Sequence, residues 1–148
     1  MDDLDRKLLN ILQSEFPLAP QPYNCLGERL GISESEALER IRSLAESGII
    51  RKIGPSFNAR RLGHASALAA AKVPSGRLEE VANVINSFPQ VTHNYSRKHK
   101  YNLWFTLICR DAQEIRSIVG EIKARTGIQE IHVLPAERIF KIEVNFEL

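Results

Sequence analysis

The segment from His93 to Phe105 concentrates side chains that can do chemistry. It contains two of the four histidines, two of the three tyrosines, the single tryptophan and three further cations. Imidazoles transfer protons near neutral pH, cations bind carboxylates, and aromatic rings stack on flat groups. Together these groups suit a planar, anionic, metal-containing ligand. An exposed hairpin tip with a solvated run of charges explains the same segment equally well.

Two arginines and two histidines outside this segment are weaker candidates. Arg60 and Arg61 could each fork onto a carboxylate or a phosphate, although a salt bridge in a linker explains them more simply. His64 and His132 lie in apolar strand contexts, where a structural histidine is the commoner case. The sequence has no phosphate-binding glycine loop, Ser-His-Asp arrangement or zinc-ligand spacing, so we expect no metal site belonging to the protein itself.

The elements around the segment predict how it is presented. Strands at 91–95 and 101–109 make it a hairpin, in which His93 and Tyr95 share one face because side chains alternate along a strand. A strand at 64–73 and a helix through 78–85 precede it. A helix capped by Asp111 and Glu114, and a final strand at 138–146, follow it. This α+β order predicts a ferredoxin-like βαββαβ domain at 63–148.

The first 53 residues predict a helix-turn-helix domain, and a hinge at 54–62 follows it. Leucines at helical spacing mark a first helix that stops before three prolines. A short second helix ends at Gly31, and Ser33 with Glu36 fits a capping box that opens a third helix. Gly48 closes that helix, and the extended run 49–53 gives the domain a winged-helix-like exit.

Charge is divided unevenly between the two parts of the chain. Residues 1–50 carry a balance of −4 and residues 51–148 a balance of +6. The third helix holds four glutamates and two arginines, and its start, which would meet a DNA groove, is acidic. Because affinity for DNA depends on neutralising phosphates, we expect no functional DNA binding.

Length and composition set the outer bounds. A chain of 148 residues with 43% hydrophobic residues can fold as two small domains. No stretch has the pattern of a signal peptide or reaches membrane-spanning length. Cys25 and Cys109 form no disulfide or zinc pattern and are expected to be free thiols. These features predict a cytoplasmic protein without a membrane partner.

Several stretches resemble a known family. Asp5 with Leu8-Leu9, the turn 30–33 and the pattern 40–50 resemble the Lrp/AsnC family, which joins a helix-turn-helix to a ferredoxin-like ligand-binding domain. The stretches 53–63 and 93–105 are similar to an enzymatic offshoot, the siroheme decarboxylases of the alternative heme pathway (AhbA/AhbB), related to the NirD, NirL, NirG and NirH proteins of heme d1 synthesis. The resemblance covers nearly the whole chain.

The resemblance implies a reaction and an assembly. Two paralogous subunits pair through their ferredoxin-like domains and hold siroheme between them, as a heterodimer or a larger assembly. Two acetate side chains of siroheme lose carbon dioxide to give didecarboxysiroheme. No cofactor is implied beyond the iron of the substrate, which a histidine could ligate. The short length and complete motif lean toward the AhbB-like subunit, without settling which of the two this chain is.

The motif positions receive provisional roles from this resemblance. Losing carbon dioxide from a pyrrole acetate requires a general acid, and histidine fits that task. We slightly favour His99 as the acid, with His93 orienting the macrocycle or approaching its iron, and the reverse is nearly as good. The expected substrate-binding residues are Tyr95, Arg97, Tyr101, Trp104, Arg60, Arg61, Lys98 and Lys100.

Two other functions fit the same sequence. One is an Lrp/AsnC-type DNA-binding regulator with a small-molecule effector. The other is a non-catalytic tetrapyrrole-binding subunit that completes the site of its partner. Binding of duplex DNA would distinguish the first, and substrate binding without turnover the second.

Overall fold

The computed structural model describes residues 1–138, 146 and 148. Two compact units make up the chain, Met1–Ser56 with Lys141–Leu148 and Phe57–Phe140. None of the described helices combines the length and the apolar composition that crossing a bilayer requires.

The first unit contains three helices around a small core. Helix α1 spans Asp3–Ser14, α2 spans Pro22–Leu30 and α3 spans Glu34–Glu46. The fixed φ and missing N–H of proline suit the first turn of α2. All three helices contribute to the core, where the buried side chains are those of Leu8, Leu26, Ile41 and Leu44. The predicted helix-turn-helix is therefore confirmed.

The turn between α2 and α3 depends on two glycines. Gly31 has a φ of 71°, in the left-handed region that side chains disfavour. A Cβ on Gly27 would lie 2.7 Å from the carbonyl oxygen of Ile32, so any other residue would push the helix off the turn. Ser33 caps α3 by accepting the N–H of Glu36 at 3.1 Å. The Glu36 carboxylate binds Arg40 instead of completing the predicted capping box.

A four-stranded antiparallel sheet forms the second unit. Its strands are β1 (Ala65–Ala71), β2 (Val91–Ser96), β3 (Leu103–Cys109) and β4 (Ile131–Pro135), in the order β2-β3-β1-β4. Helix α4 (Leu78–Asn86) follows a short 3-10 turn, and α5 (Ala112–Thr126) connects β3 to β4. This is the predicted ferredoxin-like arrangement.

One face of the sheet packs against both helices. Alternate residues of β3 are buried on this face, and the alanines of β1 beside them let the helices come close. The main buried side chains are Leu103, Phe105, Leu107, Val81, Ile85, Ile118 and Ile122. Asp111 caps α5 by accepting the N–H of Glu114 at 2.8 Å, and Gly127 ends it with a φ of 73°, as predicted.

Two sequence expectations need correction. The fourth strand of the sheet is β4, five residues long, rather than the strand predicted at 138–146. Ile131 is its one buried residue, so the segment shows no alternation that periodicity could detect. Most of 138–146 lies outside the described residues. No strand is present at 49–53, so the predicted extended exit from α3 has no regular secondary structure.

Candidate active site

The side chains between the buried residues define a second face of the sheet, turned away from α4 and α5. We call it the far face. Strand register places Tyr95, Trp104, Ala70 and His132 in one row across it, from β2 to β4. A second row contains His93, Thr106, Leu68 and Leu134. Aromatic rings and imidazoles from three strands therefore meet on one surface.

Arg97 begins the turn between β2 and β3 and lies over two aromatic rings. Its guanidinium carbon is 5.0 Å from the ring centre of Tyr95 and 5.3 Å from that of Trp104. The guanidinium also donates to the Tyr95 hydroxyl at 3.4 Å. Within the described part of the chain, no carboxylate pairs with Arg97. Stacking therefore orients a positive charge that remains available to an anion.

Side-chain amides and the indole fix the shape of this hairpin. Asn102 donates to the carbonyl of Val73 at 2.8 Å and accepts the Val73 N–H at 2.9 Å. The backbone carbonyl of Asn102 accepts the Arg97 N–H at 2.9 Å, which closes the turn. Trp104 donates its indole N–H to the carbonyl of Tyr101 at 2.7 Å. The hairpin that carries Arg97 is thus held by bonds to Val73, just after β1, and by bonds within itself.

His99 is an exposed turn residue with one ring nitrogen already engaged. Its Nδ1 accepts the backbone N–H of Tyr101 at 3.1 Å. A nitrogen that accepts a hydrogen bond carries no proton, so the proton of this neutral imidazole is on Nε2. Nε2 is left free to donate to a ligand.

His93 has a partner that suits either protonation state. Its Nδ1 lies 3.1 Å from the hydroxyl oxygen of Thr92, which can donate or accept. That hydroxyl can itself donate to the carbonyl of Thr106 at 3.5 Å. With the hydroxyl proton directed there, the oxygen accepts from Nδ1–H, and Nε2 can hold a second proton.

His132 joins the site, although its apolar strand context favours a structural role. Its Nε2 lies 2.8 Å from the hydroxyl of Tyr101, and the two rings meet edge to face with centres 4.8 Å apart. Tyr101 is 31 residues away in the chain, so sequence spacing gave no signal. Only the pairing of β4 with β1 brings them together.

Basic side chains border this pair. The ammonium of Lys100 lies 5.2 Å from the centre of the Tyr101 ring, and Lys98 is exposed in the same turn. Lys72 and Glu130 form a 2.8 Å ion pair. Their hydrogen bond raises the pKa of Lys72 and lowers the pKa of Glu130. Glu130 is thereby occupied by Lys72, and the turn keeps its positive charge.

Arg60 and Arg61 are at the opposite end of the sheet. They precede Ala65, which pairs with Cys109, whereas the turn lies beyond the pair Ala71 and Leu103. Seven strand residues separate the two ends, a length of about 20 Å. Arg60 donates to the carbonyl of Glu137 at 3.4 Å, and the backbone N–H of Arg61 donates to Asn58. A single copy of this domain does not bring them to Arg97.

An apolar cavity of about 1090 Å³ lies in the first unit. Side chains of α1 and of the segment after α3, together with Phe146 and Leu148, line it. It contains none of the histidines and none of the predicted site residues. Arg51 and Lys52 also line it, but the histidines able to transfer protons beside aromatic rings, His93, His99 and His132, are on the far face and its turn.

Two family models cover the chain. Residues 61–141 match an AsnC-like ligand binding domain, and residues 5–51 match the siroheme decarboxylase NirDL-like HTH domain. The helix-turn-helix of this chain is therefore similar to that of a decarboxylase family.

Relatives over the full length agree with these models. The siroheme decarboxylase alpha subunit of Nitratidesulfovibrio vulgaris is 47% identical over all 148 residues, which cover 84% of it. The siroheme decarboxylase NirD subunit of Pseudomonas aeruginosa is 43% identical over the whole chain, which covers 97% of it. The crystal structure of the siroheme decarboxylase NirDL in co-complex with an iron-uroporphyrin III analogue superposes with a TM-score of 0.67 at 41% identity, over 89% of this chain and 44% of that one. By fold, family models and full-length identity, the chain belongs to the siroheme decarboxylase family.

Proposed function

We propose that this chain binds siroheme on the far face and, with a paralogous partner, removes carbon dioxide from two of its acetate side chains to give didecarboxysiroheme. The observation that carries the proposal is the unpaired guanidinium of Arg97, stacked on Tyr95 and Trp104 beside His93. A flat macrocycle with carboxylate arms needs this combination of rings, cation and imidazole. The alpha subunit of N. vulgaris and the NirD subunit of P. aeruginosa match the whole chain at 47% and 43% identity, so we assign the chain to the alpha or NirD type of subunit.

Positive charge in the turn supplies the carboxylate contacts. Arg97 can make two parallel bonds to one carboxylate, and Lys98 and Lys100 act as point charges beside it. Tyr95, Tyr101 and Trp104 present ring faces and edges to the macrocycle. Arg60 and Arg61 are too far away to share a carboxylate with Arg97. They would meet the substrate only from a second domain or subunit.

The hydrogen bonds of the two hairpin histidines favour His93 as the general acid. An acid must begin as imidazolium, with protons on both ring nitrogens. In His99 the second proton would face the N–H of Tyr101, and the bond at 3.1 Å would be lost. His93 can keep its bond to Thr92 as imidazolium. We therefore propose that His93 protonates the pyrrole ring beside the acetate, and that His99 donates Nε2–H to a carboxylate.

A paralogous partner completes the site. NirDL is about twice as long as this chain, which matches 44% of it, as expected if two related halves are joined there. One sheet face of a domain of this size cannot enclose a large macrocycle, and ligand pockets favour interfaces between domains. No separate cofactor enters the proposal because the iron belongs to the substrate. We propose a cytoplasmic location, in keeping with the free thiols of Cys25 and Cys109.

An anaerobic mixing experiment tests this function. Siroheme is added to the purified chain alone, to its paralogous partner alone and to both together, and absorbance and product mass are followed. We expect binding by this chain and loss of two carbon dioxide units only when both proteins are present. Binding with no mass change in the complete mixture would overturn the decarboxylase proposal. Full turnover by this chain alone would overturn the requirement for a partner.

A further inference from the structure

We propose that Tyr101 and His132 form a proton-delivering pair, in which the tyrosine hydroxyl protonates the substrate carbon and the histidine replaces that proton. The inference rests on the proposed decarboxylase function and adds a second acid to it. His93 would protonate the ring to create an electron sink, whereas the pair would act on the methylene left when carbon dioxide departs. The two tasks differ in the atom that receives the proton.

The hydroxyl of Tyr101 has a fixed direction. His132 approaches it at 2.8 Å with the rings at 88°. On the main chain of the same residue, the N–H is bonded to His99 and the carbonyl to Trp104. The contacts with His132 and with the Lys100 ammonium, 5.2 Å from the ring centre, act on the phenol itself, and the two main-chain bonds hold the backbone that carries it. A residue that only fills space does not need its polar atom aimed in this way.

His132 is suited to supply a proton repeatedly. It is exposed, so solvent can reload it, and it shares the far-face row with Trp104 and Ala70. The carboxylate of Glu130, which lies just before β4, is bound to Lys72 at 2.8 Å. When Nε2 of the imidazolium donates to the phenol oxygen, the hydroxyl proton is free to point toward a ligand. Lys100, with its ammonium 5.2 Å from the ring centre, adds positive charge beside the phenol.

The step balances without any oxidant or reductant. The bond between the methylene and the carboxylate breaks, carbon dioxide leaves, and the electron pair moves into the protonated pyrrole. That pair then forms a C–H bond with the Tyr101 proton, and the oxygen receives the Nε2 proton of His132. The ring returns its own proton to His93, and solvent reprotonates His132. One carboxylate and one proton become one methyl group and one carbon dioxide.

The test compares Tyr101→Phe, His132→Gln and the double variant in the complete two-protein assay. His64→Ala is the control because His64 is an exposed histidine before the other end of β1. We expect each single change to lower kcat by roughly 10²–10⁴-fold with siroheme affinity within a few fold of wild type. Because the two groups act in series, the double variant should be about as slow as the slower single variant. Added imidazole should restore part of the rate to His132→Ala.

The outcomes separate this inference from the function on which it depends. A wild-type assembly that binds siroheme but releases no carbon dioxide overturns the proposed function. An active wild type with unchanged kcat in His132→Gln overturns the pair alone. Multiplying losses in the double variant would make the two residues independent, which also contradicts it. A loss of siroheme affinity at constant kcat would show that Tyr101 and His132 only bind the substrate, which also contradicts proton delivery.

Discussion

Two arginines, one in each unit of the molecule, are held in opposite ways. Arg40 on α3 donates to Asp2 at 2.8 Å, to Asp5 at 2.9 Å and to Glu36 at 3.1 Å. Arg97 lies on two aromatic rings, and no described carboxylate pairs with it. The first guanidinium is neutralised within its own unit. The second is oriented without being neutralised, and that difference distinguishes a residue that maintains a fold from the one that we propose to bind a carboxylate.

The contacts of Arg40 also bear on whether the first unit can bind DNA. In a DNA-binding helix-turn-helix, cations of the third helix face phosphates and base edges. Here one of the two arginines of α3 is committed to three carboxylates of α1 and α3. The helix-turn-helix backbone is present, but this guanidinium serves contacts within its own unit.

The largest effect is expected from replacing His93, whose imidazole lies on the far face. His93→Ala should lower the decarboxylation rate by roughly 10²–10⁴-fold with siroheme binding largely kept, because it removes a proton donor rather than a contact. His99→Ala should cost no more than about tenfold, the worth of one hydrogen bond. Single-turnover absorbance and a separate binding titration measure the two quantities. The opposite ranking would return the acid role to His99.

A smaller effect is expected on binding. Arg97→Ala should weaken siroheme binding by about 1.5–3 kcal/mol, the worth of a charge-assisted bond, or roughly 10- to 150-fold in Kd. Arg97→Lys should recover only part of it, because an ammonium cannot stack and fork as guanidinium does. Arg116→Ala on exposed α5 controls for net charge. An equal Kd for Arg97→Ala and wild type would show that this cation is only solvated.

Arg40→Ala should act on stability and leave siroheme binding unchanged. We expect a lower Tm by a few degrees at neutral pH, compared with Arg42→Ala on the same helix. The N–H of Asp5 and then the guanidinium of Arg40 lower the pKa of Asp2 from 3.8 to about 2. Ionised Asp2 therefore stabilises the fold above pH 3.8, and this stabilisation is lost as the pH falls toward 2.

Melting curves from pH 7 to pH 2 measure this loss of stability in acid. Part of the pKa shift should survive in Arg40→Ala because the N–H of Asp5 remains. The Tm difference between wild type and Arg40→Ala should shrink toward pH 2. A difference that stays constant across this range would mean that the Arg40 carboxylate contacts do not stabilise the fold.

The smallest effect is expected on DNA. Titration of labelled duplex at low salt should show at most weak binding without sequence preference, in the range of roughly 10⁻⁴–10⁻⁶ M typical of non-specific contacts. Arg40→Ala should not change it, since that guanidinium already has three partners. Sub-micromolar, sequence-selective binding would contradict this expectation and favour a DNA-binding regulator.

Local patterns predicted much of this molecule and failed where distant segments meet. Alternation placed His93 and Tyr95 on one face, and capping residues located α3 and α5. The strand β4 was not predicted from the sequence because only Ile131 is buried in it. The contact of His132 with Tyr101 escaped for the same reason, since it depends on that strand. The separation of Arg60 and Arg61 from Arg97 follows from strand direction in the sheet, which residue types do not encode.

Asn102 gives the hairpin a property beyond its shape. Its amide forms two bonds with the backbone of Val73, and so extends the pairing of β3 with β1 past the last strand residue. The turn that carries Arg97 is therefore an extension of the central strands rather than a separate flap. Ordering a mobile loop around a ligand consumes binding free energy, and here that ordering is completed during folding. In the proposed function, the macrocycle meets a surface whose conformational entropy has already been lost.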